Sequence, residues 1–202
     1  MSRSFGSIFF AVAPGDASIH AVVAAVLVAA GLVAAAVIAE ADGTGHTRQL
    51  TEGQTVNGKV VRIEKFGVFV DIGAELFDSE PASLVIPTLQ RDPNTRDGDA
   101  FGISLDTFLD GKNAFAFIVN PGGAVRDLQS SEDGRISNAA WEAAYDLRTR
   151  VHERGWTVEI AIPWSTLRFN GARAEQVWGL NLLRRIRRKN EDATWAPMDR
   201  QW

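Results

Sequence analysis

The 202-residue chain has no cysteine, only three histidines and a single tyrosine. Without cysteine it can form no disulfide, iron–sulfur cluster, thiol nucleophile or cysteine-ligated zinc site. The histidines (His20, His46 and His152) are not spaced as a metal-binding pair, which argues against zinc hydrolase chemistry. The formal net charge of -4 provides no overall attraction for polyanions, so nucleic-acid binding would need a local patch.

Motifs of the common enzyme classes are also missing. The sequence has no Gly-x-Ser-x-Gly elbow, phosphate loop or dinucleotide fingerprint, and nothing singles out a pair of carboxylates for glycoside hydrolysis. At 46% hydrophobic and 23% charged residues, the chain is long enough for one folded domain plus a leader. We therefore predict a non-catalytic protein without a resident cofactor, calcium aside.

The first 41 residues indicate a leader. Residues 21–39, "AVVAAVLVAAGLVAAAVIA", are nineteen consecutive uncharged residues, which predicts an apolar helix. Ala39-Glu40-Ala41 fits the small-x-small pattern of signal peptidase cleavage. The segment predicts a signal peptide or an uncleaved membrane anchor, and a buried helix of a cytosolic protein is the alternative. We predict export to the periplasm, the outer membrane or the medium.

Alternating apolar residues predict an all-β fold after a polar linker at 42–55. "KVVRIEKFGVFVDIGAE" (59–75) predicts a hairpin, and the three prolines of 76–99 predict a long irregular connection with at most a short strand at Leu84–Ile86. Further strand patterns recur between turn-formers: "AFGISLD", "AFAFIVN", "AVRDLQ", "WEAAYDLRTRV", "WTVEIAIP" and "VWGLNLLRRI". Short strands at this spacing predict an antiparallel, jelly-roll-like β-sandwich over 56–200.

Three motifs in linked order resemble the carbohydrate-binding module family nine-like domain. They are "RDGDAFGISLDTFLDGKNAFAFIVNPGG", "WTVEIAIPWSTLRF" and "VWGLNLLRRIRRKNEDATWAP", and the likeness covers about Leu76 to Pro197. The resemblance implies a β-sandwich, export and a link to polysaccharide binding or breakdown. The Asp-Gly-x-x-x-Glu-x-x-Trp motif that usually opens the family is absent, and Gly102 stands where the sugar-binding members carry a carboxylate.

A second resemblance carries the alternative function. "GKVVRIEKFGVFVDIG", within about Gly53 to Ala74, resembles the ribosomal-protein-S-one type of RNA-binding domain, although the histidine-containing strand that should follow is replaced by "ASLVIP". It implies RNA binding, in which aromatic side chains stack on bases and cations meet phosphates. The residues for this role are Lys59, Arg62, Phe66 and Phe69.

Six tryptophans, all after residue 140, are the candidate sugar contacts, because an indole face stacks on the C–H face of a pyranose. Trp156 and Trp178 open apolar alternations and are predicted to lie in the core. Trp141, Trp164 and Trp195 lie next to turns and are the candidate platforms. The polar partners predicted for them, at neighbouring strand ends, are Asn120, Arg126 and Asn181.

Two charged clusters have competing interpretations. Asp97, Asp99 and Asp106 would suit a calcium site, or Asp97-Gly98-Asp99 would be a turn with solvated carboxylates. "LLRRIRRKNE" would suit nucleic acid, but strand alternation separates Arg184 from Arg185 onto opposite faces, and basic residues also protect an edge strand.

Three functions follow, in order of preference. The first is a non-catalytic carbohydrate-binding β-sandwich module of an exported protein, with a glycan as its ligand. The second is an RNA-binding module using the 58–74 hairpin. The third is a structural domain that docks on a downstream outer-membrane barrel. The predicted organisation is a leader at 1–41, a linker at 42–55 and the sandwich at 56–200.

Overall fold

The structure is a computed structural model that describes residues 67–172 and 175–195. Before residue 67 it describes the backbone of separate strands only, and the side chains of residues 67–69, 71, 175 and 176 also lie outside the description. Of the residues predicted for RNA binding, Phe66 is outside the described residues altogether, and Lys59, Arg62 and Phe69 are described by their backbone alone.

The fold is all-β, as predicted, with almost no helix. The described strands are β1 (Gly6–Ala11), β2 (Val22–Val28), β3 (Ala36–Glu40), β4 (Thr47–Arg48), β5 (Val56–Lys59), β6 (Arg62–Glu64), β7 (Gly67–Phe77), β8 (Ala100–Asp106), β9 (Ala114–Val119), β10 (Val125–Ser131), β11 (Ile136–Asn138), β12 (Asp146–His152), β13 (Gly155–Pro163), β14 (Glu175–Ile186) and β15 (Glu191–Thr194). The described helices are single 3₁₀ turns at Pro81–Ser83, Trp164–Thr166 and Arg187–Lys189.

The strands form two sheets. The eight-stranded sheet has the order β11-β10-β9-β8-β14-β1-β5, with β15 also paired to β14. The seven-stranded sheet has the order β12-β13-β7-β2-β3-β4, with β6 also paired to β7. Pairing is antiparallel except for β1 with β5 and β2 with β7. Short connections between consecutive strands, such as β8-β9-β10 and β12-β13, give this antiparallel pattern.

One hydrophobic core lies between the sheets, because alternate residues of the central strands are apolar and point inward. The core residues of these strands are Val70, Ile72, Ala74, Leu76, Phe101, Ile103, Leu105, Phe115, Phe117, Val119, Trp156, Val158, Ile160, Ile162, Trp178, Leu180 and Leu182. Trp156 and Trp178 are 1% and 0% exposed, which confirms their prediction as core residues. Burial of each large apolar side chain contributes about 1.5–3 kcal/mol.

The predicted hairpin is present. β6 pairs with β7 in antiparallel register, with Glu64 opposite Gly67 and Arg62 opposite Phe69. β7 then continues to Phe77 and pairs with β13 from Phe69 to Phe77. The hairpin strand that resembles an RNA-binding barrel is therefore a central strand of the seven-stranded sheet.

Strands occupy part of the segment predicted as an apolar helix. β2 and β3 lie within it, while residues 29–35 between them, and Ala41 of the predicted cleavage site, lie outside the described residues. The apolar helix predicted for residues 21–39 therefore stays a prediction. In the described parts of the chain, no helix is both long and apolar enough to cross a membrane.

The connection from Asp78 to Asp99 is irregular, as predicted, and has no strand at Leu84–Ile86. Hydrogen bonds hold it to the eight-stranded sheet: the amide of Asp92 donates to the carbonyl of Val125 (2.8 Å), and the carbonyl of Thr88 accepts from the side chain of Asn120 (2.8 Å). Of the predicted strand "WEAAYDLRTRV", only Asp146–Val151 is extended in β12, and 141–145 is a loop.

Candidate functional site

The predicted tryptophan platforms are packed against the core. Trp195 is 5% exposed and belongs to the core itself, so its face is not available to a ligand. Trp164 stacks on Trp178 with ring centroids 4.6 Å apart and meets the edge of Phe169 at 4.9 Å. Its turn-adjacent position suggested exposure, but the 3₁₀ turn after β13 folds the indole inward onto the end of the core.

Trp141 is partly exposed and closes one side of the core. Its ring lies 4.9 Å from that of Phe115 and 5.9 Å from that of Phe117. The loop 139–145 carries it from the edge of one sheet to the edge of the other, and the amide of Ala143 is anchored on the carboxylate of Asp127. The structure therefore does not bring the three tryptophans together as one open platform.

Asn120 is 6% exposed and all of its side-chain hydrogen-bonding groups are occupied. Its Oδ1 accepts from the amides of Gly122 (3.0 Å) and Ala124 (2.9 Å), and its Nδ2 donates to the carbonyl of Thr88 (2.8 Å). This side chain organises the β9–β10 turn and holds the 78–99 connection against it. The predicted ligand contact would therefore compete with these hydrogen bonds.

Arg126 and Asn181 lie on the same surface, the face of the eight-stranded sheet that points away from the core, which we call the outer face. In the sheet register Arg126 is opposite Ile118, Ile118 opposite Gly102, and Gly102 opposite Leu183. The next row runs from Leu128 through Ala116 and Ser104 to Asn181. With strands about 4.8 Å apart, each row spans about 14 Å.

Small residues occupy the two central strands of the outer face. Gly102, Ser104 and Ala116 lie between longer side chains, with Arg126 and Leu128 on one flank and Leu183 on the other. A β-carbon at Gly102 would lie 3.3 Å from Leu183 Cβ and 3.6 Å from Ile118 Cγ1, so these two side chains border the space over the glycine. The result is a flat apolar floor with a shallow, partly exposed depression beside it.

Arg126 is the unusual side chain of this face. The arginines 91, 154, 184, 185 and 188 form ion pairs. The arginines 96, 148, 150 and 168 are exposed. Among the described side chains, Arg126 is the arginine that is partly buried and has no hydrogen bond or ion pair. Asn181, by contrast, is 4% exposed and its Oδ1 accepts from the amide of Leu182 (2.9 Å).

The structure does not bring the three predicted calcium ligands together. Asp97 is exposed, whereas Asp99 and Asp106 lie at opposite ends of β8, about 23 Å apart along an extended strand. Both buried carboxylates accept backbone amides instead: Asp99 from Val85 and Arg187, and Asp106 from Phe108 and Gly111. Burial raises the pKa of Asp99 and of Asp106, and these hydrogen bonds oppose the rise. No group of three or more candidate metal-ligating residues occurs among the described residues.

A buried ion cluster, which sequence reasoning missed, uses part of the basic motif. Asp78, whose side chain is 0% exposed, forms a bidentate pair with Arg188 (2.8 and 2.7 Å) and lies 3.4 Å from Arg184 Nη2. Burial alone would raise the pKa of Asp78, but hydrogen bonds from Arg188 and the Glu80 amide and the two arginine charges hold it below its usual value. Arg184 and Arg185 lie on opposite faces, as predicted, because Arg184 is 2% exposed while Arg185 pairs with Asp192 on the surface.

Sequence reasoning also missed a second buried carboxylate, that of Asp127. It lies on the core side of β10 at 1% exposure and accepts from Arg91 Nη2 (2.7 Å), which reaches in from the 78–99 connection. Burial, together with the negative charge of Asp127, raises the pKa of the neighbouring Tyr145 to about 12. These contacts link residues 36 positions apart, so no local sequence pattern could have signalled them.

Comparisons with known proteins give two similarities. Residues 49–94, less than a quarter of the chain, match the family model of the S1 RNA binding domain. A solved structure from Bacteroides uniformis ATCC 8492, described as a "putative carbohydrate-binding protein", is similar with 11% sequence identity and a TM-score of 0.46. That alignment covers 65% of this chain and 63% of the other, so the chain spans less than two thirds of that protein. A search of curated proteins gives no match.

Proposed function

We propose that this protein is a non-catalytic glycan-binding module, and that the ligand lies on the outer face of the eight-stranded sheet. The observation that carries the proposal is the combination on that face of a flat apolar floor, small central side chains and an arginine with free donors. The proposal agrees with the resemblance of Leu76 to Pro197 to the carbohydrate-binding module family nine-like domain, and it moves the site away from the tryptophans.

The outer face has the chemical groups that a saccharide needs. Sugar rings present an apolar C–H face and a rim of hydroxyl groups, so a binding site combines an apolar surface with a few fixed polar groups. The side chains of Ile118 and Leu183, on either side of Gly102 in the row, supply the apolar surface. The hydroxyl of Ser104 and the guanidinium of Arg126 supply an acceptor and donors beside it.

Binding without hydrolysis suits this surface. Glycoside hydrolysis by the common mechanisms needs two carboxyl groups placed across one glycosidic bond. On the described part of the outer face, the acidic residues in register are Asp106, whose two oxygens accept from backbone amides, and Asp192, which is paired with Arg185. The proposed role is therefore attachment of a larger system to a polysaccharide.

A blocking substitution tests the location of the site. Ala116→Phe would place an aromatic ring in the depression, and we expect at least about tenfold weaker glycan binding, with the melting temperature little changed because the position is partly exposed. Ala161→Phe, at a partly exposed position on the outward side of the seven-stranded sheet, is the matched control. A glycan array on the full chain selects the ligand, and calorimetric titration compares the variants. Equal losses in both variants, or no glycan bound by the wild type, would refute the proposal.

RNA binding is the second candidate, favoured by the match of residues 49–94 to the S1 RNA binding domain. Lys59, Arg62, Phe66 and Phe69 belong to this region, and β6 and β7 bring Arg62 opposite Phe69. The test is a fluorescence titration of a short single-stranded RNA against the wild type and Phe69→Ala. RNA binding would be favoured over glycan binding if the wild type binds the RNA tightly, if Phe69→Ala weakens that binding, and if the wild type binds no glycan.

We further propose that the protein is exported, because the uncharged run 21–39 ends in a small-x-small sequence. Its partners would then be a glycan and an outer-membrane barrel on which the module docks. Sequencing the amino terminus of the protein recovered from cell fractions tests this. A cytosolic product that begins at Met1 would contradict export.

A further inference from the structure

We infer that the glycan is acidic, and that Arg126 binds the carboxylate of a uronic acid residue. The inference rests on the proposed function, since it names the ligand class for the same outer face. Its starting observation is the free guanidinium of Arg126 on a sheet face where the other described arginine, Arg185, is already paired with Asp192.

The protein retains a charge here without an internal partner. Removing an arginine partly from water costs free energy unless a carboxylate or hydrogen-bond acceptors compensate for the lost hydration. Elsewhere in the chain the buried or partly buried arginines 184, 185 and 188 have such partners. At Arg126 the compensating acceptor is absent among the described residues, and a ligand can supply it.

The surroundings favour one carboxylate beside an apolar surface. An arginine fork matches the two oxygens of a planar carboxylate, and such charge-assisted pairs are the stronger hydrogen bonds of proteins. Arg126 and the floor formed by Ile118 and Leu183 over Gly102 lie in the same row of the sheet. A hexuronate resting its C–H face on this floor would therefore present its carboxylate toward the guanidinium.

A nucleic acid fits the same charge less well. A phosphodiester chain carries one charge per nucleotide and is bound by a row of cations. The row that contains Arg126 continues with uncharged residues, Ile118, Gly102 and Leu183. The net charge of the chain is -4, which adds no general attraction for a polyanion. A single carboxylate is thus the anion that the charges of this face favour.

The test uses an oligogalacturonide and its full methyl ester, which keeps the sugar backbone but removes the carboxylate charges. We expect the wild-type full chain to bind the acid at least about tenfold more tightly than the ester. Arg126→Met should abolish this difference, because it removes the guanidinium that pairs with the carboxylate, while the melting temperature stays nearly unchanged. Arg150→Met, which removes an exposed arginine of β12, is the matched control and should keep the full difference.

Four outcomes are distinguishable. Loss of the acid preference in Arg126→Met alone supports the inference. Equal affinity of the wild type for acid and ester, or an unchanged preference in Arg126→Met, overturns it while the glycan-binding function stands. A wild type that binds neither acidic nor neutral glycans overturns both proposals. Binding of single-stranded RNA in preference to the oligogalacturonide, reduced in Arg126→Met, overturns the uronate assignment in favour of phosphate recognition.

Discussion

Replacing Asp78 by alanine should destabilise the protein more than any surface change. The side chain is 0% exposed, and its removal leaves Arg184, at 2% exposure, as a buried charge without this partner. Removing one partner of a buried ion pair costs about 3–5 kcal/mol, because the remaining charge is neither hydrated nor compensated. The bidentate pair with Arg188 and the hydrogen bond from the Glu80 amide are lost in the same variant.

This loss is measurable by urea denaturation followed by tryptophan fluorescence. For a chain of this size, about 3–5 kcal/mol corresponds to a fall in the melting temperature of about 6–20 °C. Asp146→Ala, which removes an exposed aspartate at the start of β12, is the control and should change the free energy of unfolding by less than about 0.5 kcal/mol. The double variant Asp78→Ala/Arg184→Met should be less destabilised than the sum of its single variants, because the two side chains interact and their shared interaction is lost only once. If Asp78→Ala unfolds at the same urea concentration as Asp146→Ala, the ion cluster does not stabilise the fold.

Three further predictions concern stability. Folding lowers the pKa of Asp78, so its ionised form stabilises the protein above the unfolded-state pKa of about 3.9. The stability advantage of wild type over Asp78→Asn should therefore be constant at neutral pH and vanish as the pH falls through the folded-state pKa. Urea titrations in which this advantage grows on acidification would contradict the prediction. Gly155→Ala should lower the free energy of unfolding by more than about 2 kcal/mol, because Gly155 has φ +144° and a β-carbon would collide with the Leu76 carbonyl. Gly171→Ala is the control, since a β-carbon there meets open space and the melting temperature should hardly change. Equal melting temperatures for the two variants would refute the prediction. Trp195→Ala should cost about 3–5 kcal/mol as a core truncation, and a Trp195→Ala variant that melts like wild type would show that this indole is not a core residue.

The sequence was most informative where a local pattern determines the structure. Alternation of apolar residues in "WTVEIAIP" and "AFGISLD" predicted the two strands, since the period of a strand is two. The same reasoning placed Trp156 and Trp178 in the core and separated Arg184 from Arg185. Prolines in 76–99 predicted the irregular connection, because proline cannot donate a ladder hydrogen bond.

The candidate site was less predictable, because exposure depends on contacts between distant residues. Trp164 and Trp195 follow turns and therefore suggested open faces, but Trp164 packs on Trp178 and Trp195 lies in the core. Asp78 pairs with Arg188 across 110 residues, and nothing near either residue signals the pair. The outer face itself is formed by residues of β8, β9, β10 and β14, which only the sheet register brings side by side.

The central claim, that a glycan binds on the outer face, is tested most directly by mapping backbone amide chemical shifts of the full chain during titration with the glycan that binds. We expect the largest shifts at the outer-face positions of the central strands, at Ser104, Ala116 and Arg126, while the amides of β12 and β13 stay unchanged. Glycan binding on the outer face would be contradicted by shifts concentrated around Trp141 or Trp164, or along the β6–β7 hairpin, without shifts on the outer face.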